Sequence, residues 1–313
     1  MRKETEKLPK IVVLLGPTAC GKTNWSLRLS KKFNGEVISA DSRQIYKQMD
    51  IGTAKEAGEW RRDGLKKTFY IQDVPHHLID FLNPGKTFSV AEFRDRAIKH
   101  AKMIRKQDKL PIIAGGTGLY ISSVIDNLYI PRVAPNKKLR NSLEEKSNEE
   151  LMLLLKQMDK EAVKKIDAKN KRRIIRALEV CIFTGEPFSK QQQKGDPLFE
   201  SLQIGIDVDR DVLYERIDKR VDEMIKLGLV EEVKNIVRQK YSWQLSSMNG
   251  IGYRQFRDFF DGKCTLDEAI SILKRDSRRY ARRQHTWFKR DNRIEWIKDY
   301  ETAEERVFQF LNS

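Results

Sequence analysis

The stretch that most constrains this chain is Ile11-Val12-Val13-Leu14-Leu15-Gly16-Pro17-Thr18-Ala19-Cys20-Gly21-Lys22-Thr23. Apolar residues at both parities from Ile11 to Leu15 describe a strand buried on both faces. Gly16 to Thr23 fits G-x-x-x-x-G-K-[ST], and Trp25, Leu29 and Phe33 follow at helical spacing. Strand, glycine loop and helix together aim loop N–H groups and a helix N-terminus at one spot, where they stabilise an anion. Gly16, Pro17, Thr18, Ala19, Cys20, Gly21, Lys22 and Thr23 are therefore candidate phosphate- or diphosphate-binding residues. Lys22 adds a full positive charge, and the Thr23 hydroxyl is a candidate ligand for Mg²⁺.

Charge narrows the partner. Lys and Arg number 61 against 45 Asp and Glu, a net +16 over 313 residues, which suits a polyanion such as nucleic acid. No apolar run reaches the length of a membrane span, and residues 1–7 lack the apolar centre of a signal peptide. The three cysteines, Cys20, Cys181 and Cys264, show neither metal nor disulfide spacing. The expectation is a reduced, cytoplasmic protein that stays off membranes.

Two more strands lead into loops with chemistry. Glu36 to Ala40 reads as a strand ending in Asp41-Ser42-Arg43-Gln44, and Leu110 to Ala114 as one ending in Gly115-Gly116-Thr117-Gly118. In an open parallel sheet, ligands bind beyond the carboxyl ends of the strands, so Asp41 and Thr117 are expected beside the phosphate loop. Residues 45–55 read as a loop lining that site. Residues 56–72, charge-rich with Trp60 alone among charges, read as an excursion from the core. His76 and His77 are adjacent, cannot face one site from a strand, and have no evident third ligand, which favours a structural or substrate-contacting role over a metal. Ser89 and Glu92 form a capping box for a helix with the stripe Phe93, Ala97, Ala101 and Ile104.

After Pro131 strand signal vanishes and helical periods recur, so residues 131–200 read as a helical insertion between core segments 1–130 and 201–313. Within it Arg172, Arg173 and Arg176 cluster on a helix without intervening acids, favouring contact with a phosphate backbone. Residues 191–197 look like its exit. Strand signal returns at 202–208, and a helix with the stripe Leu213, Ile217, Val221 and Met224 follows. Arg220 lies at the edge of that stripe, where it either snorkels or meets a buried anion. Thr265 and Glu268 open a last long helix on which Arg275, Arg278, Arg279, Arg282 and Arg283 share a face, with Trp287 and Phe288 behind, a combination suited to RNA. A terminal strand (Ile294, Trp296) and an amphipathic helix complete the core.

Taken as a set, these motifs resemble the tRNA dimethylallyltransferase (tRNA isopentenyltransferase) family. The matching pieces are GPTACGKT at 16–23, DSRQIY at 41–46, DIGTAK at 50–55, HHLID at 76–80, GGTGLY at 115–120, RALE at 176–179, GYRQ at 252–255 and RQHTWF at 283–288. The resemblance implies an α/β fold, a P-loop NTPase-like parallel-sheet core with a small all-helical insertion domain that grips the tRNA anticodon stem-loop. It implies transfer of a dimethylallyl group from dimethylallyl diphosphate to N6 of the adenosine 3′-adjacent to the anticodon, with Mg²⁺ assisting a monomer. Asp41 (as general base), Thr117 and Arg220 are the expected catalytic residues. Expected tRNA contacts are Asp41, Ser42, Arg43, Gln44, Thr117, Arg172, Arg173, Ile174, Ile175, Arg176, Gly252, Tyr253, Arg254, Arg279 and Arg283. Cys20 stands where the family usually has serine, and the charged stretch after Lys55 is longer than expected. A nucleotide or nucleoside kinase would use the same loop for ATP, but would leave the basic helix and the insertion without a task. An RNA-binding protein with a degenerate nucleotide site fits poorly with an intact Lys22, Thr23 and Asp41.

Overall fold

A computed structural model of the chain describes residues 7–64, 66–191 and 193–313. Most of the N-terminal segment inspected above for a leader (residues 1–6), Leu65 in the charged excursion and Gln192 in the insertion's exit lie outside the described residues. The chain divides into two compact units, one formed by the segments up to Ile125 and Leu198–Ser313, the other by Asp126–Pro197. The junctions fall earlier than the 131 and 200 expected from composition. The reason is a zipped stem: Gly195 donates its N–H to the carbonyls of Asp126 and Asn127, and the Asn127 amide donates to the Asp196 carbonyl at 2.9 Å.

The first unit is built on one eight-stranded sheet. Its strands are β1 (Lys10–Leu15), β2 (Gly35–Ser39), β3 (Glu59–Asp63), β4 (Lys66–Ile71), β5 (Val74–His77), β6 (Leu110–Gly115), β7 (Glu200–Ile206) and β8 (Ile294–Ile297). Their order is β3-β4-β5-β2-β6-β1-β7-β8, parallel from β5 to β8. The buried first strand lies deep in this sheet, with Val12 opposite both Ile112 and Leu202. Its alternation serves two layers. Ile11, Val13 and Leu15 face α2 (Val90–Arg105) and α3 (Gly118–Ile125), while Val12 and Leu14 face α1 (Lys22–Lys32) and the C-terminal helix. On α2, the Ser89–Glu92 capping box is present and Phe93, Ala97, Ala101 and Ile104 are buried. Phe93 stacks on Tyr120 with ring centroids 4.0 Å apart.

Residues 56–72 are not an excursion from the core. β3 and β4 pair antiparallel and continue the sheet through β5. Trp60 packs edge-on against Phe69 at 5.5 Å, and its indole N–H donates to Asp80 at 2.9 Å.

The second unit holds α4 (Lys137–Glu144), α5 (Asn148–Met158), α6 (Lys160–Lys165) and α7 (Lys171–Thr184). Side chains of Asn136, Ser147, Asp159 and Asn170 cap their N-termini. Leu143, Leu151, Leu155, Leu178 and Cys181 form its core together with Ile174 and Ile175. The last two side chains therefore cannot reach tRNA as expected; they face inward because α7 turns that side to α5. Glu179, fully buried, collects both forks of Arg140, the Asn136 N–H and Arg176. Burial alone would raise its carboxyl, but these donors hold it below the usual carboxylate range. The acid three residues on thus neutralises Arg176, which also donates to the Val133 carbonyl at 2.9 Å, so Arg176 braces its own unit instead of presenting a free charge. Arg172 and Arg173 remain exposed.

The first unit closes with α8 (Arg210–Lys226), α9 (Leu229–Arg238), α10 (Arg257–Phe260), α11 (Leu266–Phe288) and α12 (Tyr300–Asn312). α11 opens on a Thr265–Glu268 capping box and buries Ala269, Leu273, Ser277, Ala281, Gln284 and Phe288. Among the described residues no helix is long and apolar enough to cross a membrane.

Candidate active site

A cavity of about 590 Å³ opens in the first unit beyond the carboxyl ends of the parallel strands. The loops that follow β1, β2 and β6 all reach it. Thr18, Ala19, Gly21, Lys22 and Thr23 come from the first, Asp41 to Gln44 from the second, and Gly115 and Gly116 from the third.

The phosphate loop is wound tightly at the start of α1, with Ala19 in the left-handed region at φ 66°. Lys22 is the first residue of that helix, and its ammonium donates to the carbonyls of Gly16 at 3.0 Å and Pro17 at 2.6 Å. This holds the charge over the cradle. Cys20 is buried against the loop backbone, within 3.7 Å of the same ammonium. Arg220 reaches the loop from α8, its guanidinium 3.5 Å from the Thr18 hydroxyl. Burial lowers its pKa below the ordinary arginine value. Of the two readings that the sequence left open, the one in which Arg220 points at an anion site has the geometry.

The second loop is a turn made by Asp41. Its Oδ1 accepts the N–H of Arg43 at 2.8 Å and of Gln44 at 3.3 Å, leaving Oδ2 outside the turn. Thr117 ties this loop to the third: its N–H donates to the Ala40 carbonyl, and its Oγ1 accepts the Ser42 N–H at 3.1 Å. Tyr280 of α11 also lines the cavity, and burial together with the Asp41 carboxylate pushes its phenol up to about 12. Such a group stays protonated at neutral pH and serves as a donor. Val37, Ile71, Ile79 and Ala114 supply an apolar part of the wall.

The histidine pair divides as a strand requires. His76 lines the cavity, and burial lowers its pKa to about 4, so it is neutral, with its Nδ1 bonded to the Val74 carbonyl. His77 instead bonds Glu36 at 2.7 Å, and Lys109 donates to the other oxygen of the same carboxylate. No group of three or more His, Cys, Asp or Glu among the described residues is arranged to hold a metal.

Five expected contacts, at 252–254, Arg279 and Arg283, are sharpened by the structure. Tyr253 is fully buried, its ring against Gly52 and its hydroxyl donating to Glu232 at 2.7 Å, so its side chain anchors the loop at 50–52 and faces no open surface. Glu232 completes that clamp by accepting the N–H groups of Asp50, Ile51 and Gly52. Gly252 is buried in the same contact, so its part is packing. On α11, Arg278 is captured by Asp218 at 2.5 Å, whereas Arg279 and Arg283 stay exposed and Arg283 lines the cavity. Arg254 also lines it, and pairs with Asp276 at 3.1 Å.

The sequence reading missed Gln284. It is buried, accepts the Thr18 N–H at 2.9 Å and donates to the Gly116 carbonyl at 2.8 Å, so one side chain braces the first and third loops. A methyl group on Gly116 would meet the Gln284 amide and displace it from this position. The signal was present: a polar residue three positions after Ala281 interrupts the buried stripe of α11. Gln284→Ala would strand a buried donor and a buried acceptor, and should cost about 1–3 kcal/mol of stability. An unchanged urea midpoint would show that the loops hold without the brace.

A P-loop-type core whose phosphate loop meets a carboxylate and a basic helix at one cavity defines a class: a group-transfer enzyme. Comparison with known proteins specifies the family. A profile described as "IPP transferase" matches residues 44–291, and one described as "Isopentenyl transferase" matches residues 9–74. The chain is 44% identical over 312 residues to the tRNA dimethylallyltransferase of Acetivibrio thermocellus, covering 97% of this chain and 96% of that one. It is also similar to the solved full-length tRNA isopentenylpyrophosphate transferase of Bacillus halodurans, with a TM-score of 0.69, 38% identity and coverage of 97% and 95%. A eukaryotic dimethylallyltransferase solved acting on tRNA gives a TM-score of 0.75 at 25% identity, with coverage of 97% and 77%. The chain belongs to the IPP transferase family.

Proposed function

We propose that this chain transfers a dimethylallyl group from dimethylallyl diphosphate to N6 of the adenosine 3′-adjacent to the anticodon in tRNAs, acting in the cytoplasm as a monomer. The observation that carries the reading is the convergence of the phosphate loop and Asp41 on one cavity whose wall is partly apolar, with Thr117 bonded to the Asp41 loop through the Ser42 N–H. The adenine amine is a weak nucleophile because its lone pair is delocalised into the ring. As N6 attacks C1 of the donor, the C1–O bond breaks, the electron pair leaves with diphosphate, and the N6 proton passes to the Asp41 carboxylate. Lys22, Arg220 and the loop N–H groups stabilise the charge that grows on the leaving diphosphate. Thr117 keeps the Asp41 loop in register. The apolar wall accommodates the short branched tail.

Mg²⁺ suits the donor set, since it binds through few protein oxygens plus phosphate, and the Thr23 hydroxyl lies at the cavity at the start of α1. Bound there, it would supply charge neutralisation on the diphosphate. Exposed Arg172 and Arg173 in one unit, and Arg279 and Arg283 in the other, are the residues we assign to the tRNA backbone, with Ser42, Arg43 and Gln44 at the cavity. Displacement at an allylic carbon needs no nucleoside triphosphate. The test is transfer with anticodon stem-loop RNA, dimethylallyl diphosphate and Mg²⁺ in the absence of nucleotide. Product should appear; product only on addition of ATP would return the loop to a kinase-like role.

A further inference from the structure

Towards the C-terminal end of α11, Arg282, Arg283, Thr286, Trp287 and Arg290 line a shallow hollow of about 200 Å³. Trp287 is 42% exposed, unusual for so large an apolar ring. It is nevertheless fixed: the Nε1 edge of its indole lies against Gly118, where a methyl group would collide with it. Arg275 and Arg278, earlier on the same helix, are neutralised by Asp276 and Asp218. Among the described residues no carboxylate pairs with Arg282, Arg283 or Arg290; Arg283 lies over the Tyr280 ring at 5.7 Å. Arg283 also lines the main cavity, so the hollow and the cavity are neighbours.

A rigid, half-open aromatic ring flanked by unpaired guanidinium groups matches one kind of ligand, a nucleotide with a stackable base and a phosphate. We propose that this hollow is a nucleotide subsite, in which a base flanking the reacting adenosine stacks on Trp287 while Arg282 and Arg290 hold its phosphate. The proposal rests on the RNA reading above and deepens it. An adenine drawn into the cavity leaves its neighbour without a stacking partner, which is unfavourable. An aromatic platform beside the entrance offsets part of that cost for any base, because every base has a π-face.

Anticodon stem-loop RNA titrated into the intact chain, followed by tryptophan emission and by affinity across a range of salt, tests this. RNA should quench emission in the unsubstituted chain, and Trp287→Phe should lose that quench. Trp287→Ala should weaken RNA binding roughly ten- to a hundredfold with an unchanged salt slope. Arg290→Ala should flatten the slope by about one unit. If the Trp287→Ala chain does not fold, the quench comparison with Trp287→Phe decides. A quench retained in Trp287→Phe, or RNA binding by Trp287→Ala equal to the parent, overturns the subsite while the RNA reading stands. If the unsubstituted chain binds no stem-loop RNA, both fall.

Discussion

Asp41→Asn should lower turnover by roughly 10²-fold or more while RNA and donor binding stay nearly intact. The substitution suits the purpose because the oxygen of the introduced amide can still accept the N–H groups of Arg43 and Gln44 that Oδ1 of Asp41 accepts now. The turn, and with it the register of Ser42 against Thr117, is retained; only the capacity to take a proton is lost. Single-turnover transfer at saturating donor and RNA, with separate binding titrations, reads the two effects apart. Near-normal turnover would remove Asp41 from the role of base.

Lys22→Ala should reduce transfer by about 10²–10³-fold. The ammonium sits over the cradle through the carbonyls of Gly16 and Pro17, so its loss removes the strongest localised charge facing a leaving diphosphate. RNA affinity should survive, and inhibition by inorganic diphosphate should weaken in parallel with transfer. Unaltered donor use would show that the loop does not serve the diphosphate.

Much of this arrangement was legible from the chain alone, for reasons that differ by element. The buried run Ile11 to Leu15 could only be an internal strand, and its continuation into GPTACGKT fixed one wall of the cavity. Capping boxes at Ser89 and Thr265 marked helix starts through local chemistry that needs no distant partner. The hairpin of β3 and β4 was not legible because an edge of a sheet buries little: among the described side chains of 59–71, only Phe69 and Ile71 are buried, so no alternation was imposed on the rest. The arginine arrays were misjudged for another reason. Sequence shows where charges are, but not what neutralises them, and Arg278 meets its partner, Asp218, on another helix. Arg176 had its acid in view at Glu179; the cost of burying that carboxylate with any donor missing makes the pairing obligatory. The bonding of Gln284 is not legible because both its partners, the Thr18 N–H and the Gly116 carbonyl, lie far away in sequence.

The brace at Gln284 also sets an order of events during synthesis. Thr18 emerges from the ribosome early, while the amide that takes its N–H lies 266 residues further along. β1 must likewise wait for β7, whose register pairs Val12 with Leu202. A nascent chain can form α1 and the glycine turn, but not a fixed cradle, until nearly all of the polypeptide is out. Termination anywhere before Gln284 therefore yields a phosphate loop without its far support.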